Sequence, residues 1–328
     1  MKTLSIVTSL YSSSPYIDEF YKRTLKCLSC LPLKYEFIFV NDGSPDDSAT
    51  RVLNLRKSDE QVHLIDLSRN FGQQRAMMAG LSEASGDYIF TIDVDLEERP
   101  EFLLELYQAL TEENLDVVYG VMKKRQGGII KKHLGSIFHW LLNQFSYIPI
   151  PKNVLWSRLM TRQYAQCVTS LKEEHLYFGG LFQVAGFKQK PIYLEKTYKG
   201  STTYTTFKKI LVAYDALFSF TSAPLMMICF LGGAIVCFSL LYALFTLIQY
   251  TFFGVGVPGW TTIVLFQSLM FGFVIFTQGI IGIYVGKTFM QSKNRPLYFI
   301  KDSTLTKHIR QLKEVADGPK LATAQMDL

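Results

Sequence analysis

Between Asp215 and Lys287 the chain has no Asp, Glu, Lys, Arg or His, an interval of 71 residues in a sequence of 328. That absence excludes a purely soluble protein, because water-exposed chain of this length always carries ionisable groups. The remainder excludes a bundle of many membrane helices. The 34 Lys and Arg and the 28 Asp and Glu all fall outside the interval, where they make up about 24 %, the ordinary share for a globular domain. The net charge of +6 is modest and forms no continuous stripe, so no nucleic-acid partner is expected. Histidine is scarce, at five residues, and none pairs convincingly with a carboxylate. Cysteine is odd in number, at five. Cys27-Leu-Ser-Cys30 has redox or zinc spacing, but no second pair or nearby His completes a site, so packing on a helix is the expectation. No internal repeat is visible. The opening Met1-Lys-Thr-Leu-Ser-Ile-Val7 is too short an apolar run for a signal peptide, so the first 215 residues are expected to stay inside the cell.

The uncharged interval has room for two membrane spans of roughly 20 residues and a turn, not three. They are predicted at 225–250 and 262–285, with the Gly, Pro and aromatic residues of 251–260 as the turn. Lys208 and Lys209 precede the first span, and Lys287, Lys293 and Arg295 follow the second. The positive-inside rule then keeps both termini and the large amino-terminal part cytoplasmic, with membrane lipid as a partner. No charge lies within the spans, so they show no ion pathway. Gly232, Gly233, Gly279 and Gly282 permit close helix packing or a homo-oligomer. From 207 to 220 apolar residues recur at helical spacing behind Lys208 and Lys209, which fits either a helix lying in the membrane interface or one packed on a sheet. Beyond about Thr306 the composition suggests a poorly ordered tail.

The first part alternates short β-branched and aromatic runs (4–9, 35–40, 62–67 and 87–92) with helical patterns (17–28, 48–55 and 74–82). This predicts an α/β fold with a mostly parallel sheet and flanking helices, in which ligands bind beyond the carboxyl ends of the strands. Asn41, Asp42, Asp93 and Asp95 fall at such ends. Asp93-Val-Asp-Leu-Glu97 places carboxylates two residues apart, which can converge on a hard divalent cation shared with substrate phosphates. Spacing alone leaves the choice between a metal site and a surface turn open. Lys123, Lys124, Arg125, Lys131 and Lys132 form a local basic cluster, either a solvated face or a surface for anionic headgroups or a phosphorylated substrate.

Several separated motifs occur in one order: Val40-Asn-Asp-Gly-Ser44, Arg69-Asn-Phe-Gly-Gln-Gln-Arg-Ala-Met-Met-Ala-Gly80, Gly86-Asp-Tyr-Ile-Phe-Thr-Ile-Asp-Val-Asp-Leu96 and Arg158-Leu-Met-Thr-Arg162. Together they resemble the inverting family 2 glycosyltransferases of GT-A fold. Two spans after the catalytic part make the chain similar to the polyprenyl-phosphate branch, which includes dolichyl-phosphate mannose synthase and undecaprenyl-phosphate glucosyltransferases. The resemblance covers roughly residues 3–290. It implies a nucleotide-diphosphate sugar as donor, a membrane polyprenyl phosphate as acceptor, and Mg²⁺ or Mn²⁺ as cofactor. It further implies that Asp42, beside Asn41, contacts the nucleoside, and that Asp93, Asp95 and Glu97 hold the metal, Glu97 standing where the family has Gln. Arg158 and Arg125, with Lys123 nearby, would lie near the phosphates. Arg162 is either a further phosphate contact or, four residues on along a helix, a structural partner of Arg158.

The expected organisation is a GT-A domain over 1–205, an interfacial helix over 206–222, two spans over 223–287 and a cytoplasmic tail over 288–328. Two departures from the family pattern stand out. Thr8-Ser-Leu-Tyr-Ser-Ser13 lacks the Pro and the acidic residue usual there, and Gly200-Ser-Thr-Thr-Tyr204 has Thr203 in place of a Lys. A phosphate acceptor is largely ionised at neutral pH, with a second pKa of about 6, so it needs cations more than a general base. Glu173 and Glu174 are weak candidates for such a base. A processive polysaccharide synthase would share Asp42, Asp93 and Asp95 but would add a Gln-x-x-Arg-Trp motif and more spans. A non-enzymatic membrane protein would leave the carboxylates at the strand ends unexplained.

Overall fold

The computed structural model describes residues 1–122, 144, 151–171, 173, 174, 178–195, 223–253 and 259–305. Lys123, Arg125 and the rest of the basic cluster lie outside the described residues. So do the expected interfacial helix, the Gly200 run and the tail beyond 305.

In chain order the elements are β1 (Thr3–Leu10), α1 (Ile17–Leu28), β2 (Lys34–Asn41), α2 (Ser48–Ser58), β3 (Val62–Leu67), α3 (Gln73–Glu83), β4 (Tyr88–Thr91) and α4 (Phe102–Glu112). There follow β5 (Val117–Met122), β6 (Val154–Thr161), α5 (Arg162–Ser170), α6 (Phe178–Val184), β7 (Gln189–Leu194), α7 (Ala223–Phe253), α8 (Trp260–Ser292) and β8 (Ile300–Ser303). The strands form one sheet in the order β7-β5-β6-β4-β1-β2-β3-β8. Neighbours pair in parallel except where β6 meets β4 and β5, and where β8 meets β3. The α/β expectation of a mostly parallel sheet with flanking helices is met.

Helices cover both faces, which is why the strands read as nearly continuous apolar runs. Leu4, Ile6, Leu10, Phe37 and Phe39 pack with α1, α2 and α4, while Val7, Ile38 and Val40 face α3, α5 and α6. Where a strand residue is polar, its partner is local. Buried Glu36 accepts from the Ser5 hydroxyl at 2.5 Å and from the Ser85 amide at 2.8 Å.

The chain divides into two compact units. One comprises Met1–Leu134, Ile150–Thr205 and Pro296–Leu328; the other comprises Gly135–Pro149 and Thr206–Arg295. The second unit contains α7 and α8, whose most apolar stretches, Leu225–Tyr242 and Leu269–Ser292, are long and apolar enough to cross a membrane. Nothing in the sequence pattern signals β8. It pairs with the edge strand β3, and the Thr304 amide donates to the Leu64 carbonyl at 3.0 Å while the Thr304 hydroxyl accepts from the Leu64 amide at 2.9 Å. Residues after the apolar helices thereby complete the sheet that the first strands began.

Helix α3 approaches the sheet closely because Gly80 faces it. A Cβ at Gly80 would stand 2.4 Å from Val7 Cγ1 and 3.0 Å from Val40 Cγ2, both on buried, stiff β-branched side chains. Gly80→Val is expected to destabilise the protein by about 1–3 kcal/mol through overpacking, read as a lowered midpoint of thermal unfolding; an unchanged midpoint would contradict this packing.

Candidate active site

Strands β1, β2 and β4 run in parallel, so the segments after Leu10, Asn41 and Thr91 emerge at one end of the sheet. This is where an α/β sheet binds ligands. Two serine-rich loops close it on one side. The Ser12 amide donates to Ser44 Oγ at 2.7 Å, the Ser13 amide to Ser48 Oγ at 3.3 Å, and the Ser14 amide to Asp46 Oδ2 at 3.0 Å. Asp46 Oδ1 also accepts from the Ser44 and Ser48 hydroxyls, each at 2.6 Å, and from the Ser48 amide at 3.1 Å. Burial alone would raise the Asp46 carboxyl, but these hydrogen bonds outweigh it and bring it down to about 2. The segment that departs from the family pattern, Thr8 to Ser13, is thus clasped at its Ser12–Ser13 end by the loop after β2.

Asn41 and Asp42 are both buried. Asn41 Nδ2 donates to Asp66 Oδ1 at 2.7 Å, and its Oδ1 accepts from the Ser44 amide at 3.2 Å. Asp42 accepts from the Phe71 amide at 2.7 Å and the Gly72 amide at 2.9 Å, so it holds the loop leading into α3. Burial raises its carboxyl above the usual range, against those two amides and Arg69. Gly43 has φ +59 and lies so close to the Arg69–Asn70 backbone that a Cβ would meet Asn70 N at 2.6 Å, which is why glycine stands there. One residue past Gly72, Gln73 opens α3, and its Nε2 donates to Asp93 Oδ1 at 2.6 Å. Asp42, Gln73 and Asp93 are therefore linked through the start of one helix.

Asp93, Asp95 and Glu97 are partly exposed. The turn that carries them has Leu96 at φ +63, and Asp95 Oδ1 accepts from the Glu97 amide at 3.0 Å. Among the described residues no three His, Cys, Asp or Glu side chains converge as a metal-holding group. Asp93, Asp95 and Glu97 thus form no all-protein cage of three carboxylates. What is present suits a hard ion that takes one or two carboxylates and completes its shell with substrate phosphates and water.

The two arginines of the motif are carried to different ends of the sheet. Arg158 is on a strand, β6, paired with Thr91 of β4 and Tyr119 of β5. Its side chain is 1 % exposed, with the guanidinium carbon 3.8 Å from the Phe182 ring centre and 4.7 Å from that of Tyr119. Among the described residues its Nε and Nη1 are buried without a hydrogen-bond partner, and burial lowers its pKa from the usual arginine range. The guanidinium is a sealed cation between aromatic rings. Arg162 is carried to the other end of the sheet, because β6 runs antiparallel to β4. Its amide donates to the Asp87 carbonyl at 3.0 Å, before β4 begins, and it lines an open cleft of about 610 Å³ with Lys2, Asp87, Tyr88, Tyr107 and Asp116. A shared helical face for Arg158 and Arg162 is thus corrected: one is on a strand, the other starts a helix. Of the base candidates, Glu174 is paired with Arg75 at 2.8 Å, and burial raises the Glu173 carboxyl.

Sequence reasoning missed Gln73 and Glu98. The signal for Gln73 was its place directly after Gly72, where a helix begins beside a strand end. Glu98, buried beside the partly exposed Glu97, gives no signal in a pattern of adjacent acids.

The sequence profile described as Glycosyl transferase family 2 matches residues 5–170. A Mycobacterium tuberculosis protein named among the glycosyltransferases is 39 % identical over 298 residues, covering 91 % of this chain and 87 % of its own. The uncharacterized glycosyltransferase YkcC of Bacillus subtilis is 34 % identical over 302 residues, covering 91 % and 93 %. The bactoprenol glucosyl transferase of Shigella phage SfII is 29 % identical over 306 residues, covering 92 % and 98 %.

Asp46 has a depressed carboxyl, so the stability it contributes is present above the unfolded-state value near 4 and is lost as pH falls through about 2. Asp46→Asn is expected to melt below the wild type at pH 7, with the gap closing between about pH 4 and pH 2. A gap that stays constant over that range would refute the clasp.

Proposed function

The chain belongs to glycosyl transferase family 2, and from that premise we propose that it transfers one sugar from a nucleotide-diphosphate sugar to a polyprenyl phosphate held in the membrane, with inversion at the anomeric carbon. The observation that carries this reading is the carboxylate turn at the end of β4 in a chain whose two apolar helices are long enough to span a bilayer. The full-length likeness to proteins named for bactoprenol supports a lipid acceptor of the polyprenyl type.

In this reading an oxygen of the acceptor phosphate attacks the anomeric carbon, and the bond to the nucleoside diphosphate breaks, its electron pair leaving with the diphosphate. Charge builds on the leaving oxygen. A divalent ion, Mg²⁺ or Mn²⁺, supplies offsetting positive charge there. Asp93 and Asp95 would hold it. Gln73, by donating to Asp93 Oδ1, fixes one carboxylate oxygen, and Asp42 shapes the loop that brings Gln73 to it. The acceptor phosphate is already largely ionised at neutral pH and requires no proton removal. Arg158 supports the sheet from inside, and the phosphate-steering role falls to Lys123 and Arg125. We assign catalysis to residues 1–205, membrane attachment to 223–287, and a cytoplasmic position to both flanks.

Membranes containing the protein should transfer sugar from one member of a nucleotide-sugar panel to undecaprenyl phosphate. Asp95→Ala and chelation should each lower the rate by at least about 10²-fold, the scale of losing one charge-stabilising element at a reacting centre. Undiminished transfer by either would remove the metal from the reading. An α-linked donor should give a β-linked lipid, determined by NMR of the product; an α-linked lipid would exclude inversion, and a growing glycan would point to a processive synthase.

A further inference from the structure

Glu98 follows the partly exposed acids of the carboxylate turn directly, yet it is 1 % exposed. Its Oε1 accepts from the Trp156 amide at 3.2 Å, and its Oε2 accepts from the Ser157 amide at 2.7 Å and the Ser157 hydroxyl at 2.5 Å. The ladder explains why an acid is needed there. The last residue of β4, Thr91, pairs with Arg158, so β6 residues 154–157 run past the end of β4. Past that point no β4 residue offers a carbonyl, and buried amides without acceptors are costly. The Glu98 carboxylate takes the place of the missing strand.

The same dipeptide is held from the other side of the turn. Thr91 Oγ1 donates to the Trp156 carbonyl at 2.9 Å. Residues 92–97, which carry Asp93 and Asp95, are therefore pinned at both ends to Trp156–Ser157. Between the pins the chain accepts a left-handed residue, Leu96 at φ +63, which a free segment would seldom adopt. Gln73 restrains Asp93 from a third direction.

We propose that Glu98 is a positioning residue: it anchors the turn to β6 so that Asp93 and Asp95 stand arranged before donor and ion arrive, sparing the ordering cost on binding. The part concerning the ion rests on the metal-dependent reading above; the anchoring does not. Glu98 touches no reacting atom.

The test uses the full chain and Glu98→Gln, which keeps the shape but turns an amide N–H₂ toward N–H donors. Hydrogen exchange in residues 92–98 should accelerate about tenfold, the scale of losing one buried hydrogen bond, while β1 and β2 exchange as in the wild type. The Mn²⁺ concentration that half-saturates transfer should rise by about the same factor, with the KM for undecaprenyl phosphate unchanged. Ser157→Ala, which removes only the hydroxyl, should move both readouts the same way but less, and serves if Glu98→Gln fails to fold. Exchange in 92–98 unaltered by both variants, or quickened equally across β1 and β2, would overturn the proposal. So would faster local exchange with no change in Mn²⁺ demand. A wild-type enzyme with no Mn²⁺ demand would instead overturn the metal reading, and exchange alone would then decide the anchor.

Discussion

Wherever a strand stops, the backbone amides beyond it must find an acceptor or lose stability, and in this protein acidic side chains meet that need. Asp42 takes the amides of Phe71 and Gly72, Asp46 those of Ser14 and Ser48, Glu36 that of Ser85, and Glu98 those of Trp156 and Ser157. The Glu36 pairing lies toward the end of the sheet away from the site, where Asp87 takes the Thr3 amide and Asp116 the Lys188 amide. A carboxylate can accept several such bonds at once, which a backbone carbonyl fixed in a ladder cannot do as freely. The sheet could end in ragged strands because these acids square off its ends.

That division of labour sorts the acids into two kinds. Glu36, Asp42 and Glu98, which satisfy amides, are buried, and the oxygens named are spent on the protein. Asp93 and Asp95 remain partly open, with one oxygen of each engaged by Gln73 and by the Glu97 amide. For the ion-holding role proposed for them, this combines enough restraint to fix direction with enough exposure to meet a ligand.

The alternation of apolar strands with amphipathic helices made the fold legible, because each strand between two helical layers must be apolar on both faces. The two long apolar helices were equally plain from the empty charge interval. Strand β8 was not, since Ile300-Lys-Asp-Ser303 is too short and polar to signal itself and is specified by what it meets, the open edge of β3. The ends of β2 and β4 pointed to the candidate site, but not to the state of its residues. Arg158 and Arg162 form one short motif in sequence, yet an antiparallel strand sends them to different places, and periodicity cannot reveal the direction of β6. Glu97 and Glu98 differ only in burial, which depends on a partner some 58 positions away along the chain.

Strand β8 has a bearing on how the protein is made. The chain leaves the sheet-bearing unit before α7 and re-enters it after α8, so whatever the apolar helices traverse, they must traverse an even number of times. A nascent chain in which only one helix inserted would strand Ile300 to Ser303 on the far side of the bilayer from β3. Were the helices to span a bilayer, completion of the sheet edge would be compatible with both having crossed or neither, and not with one alone.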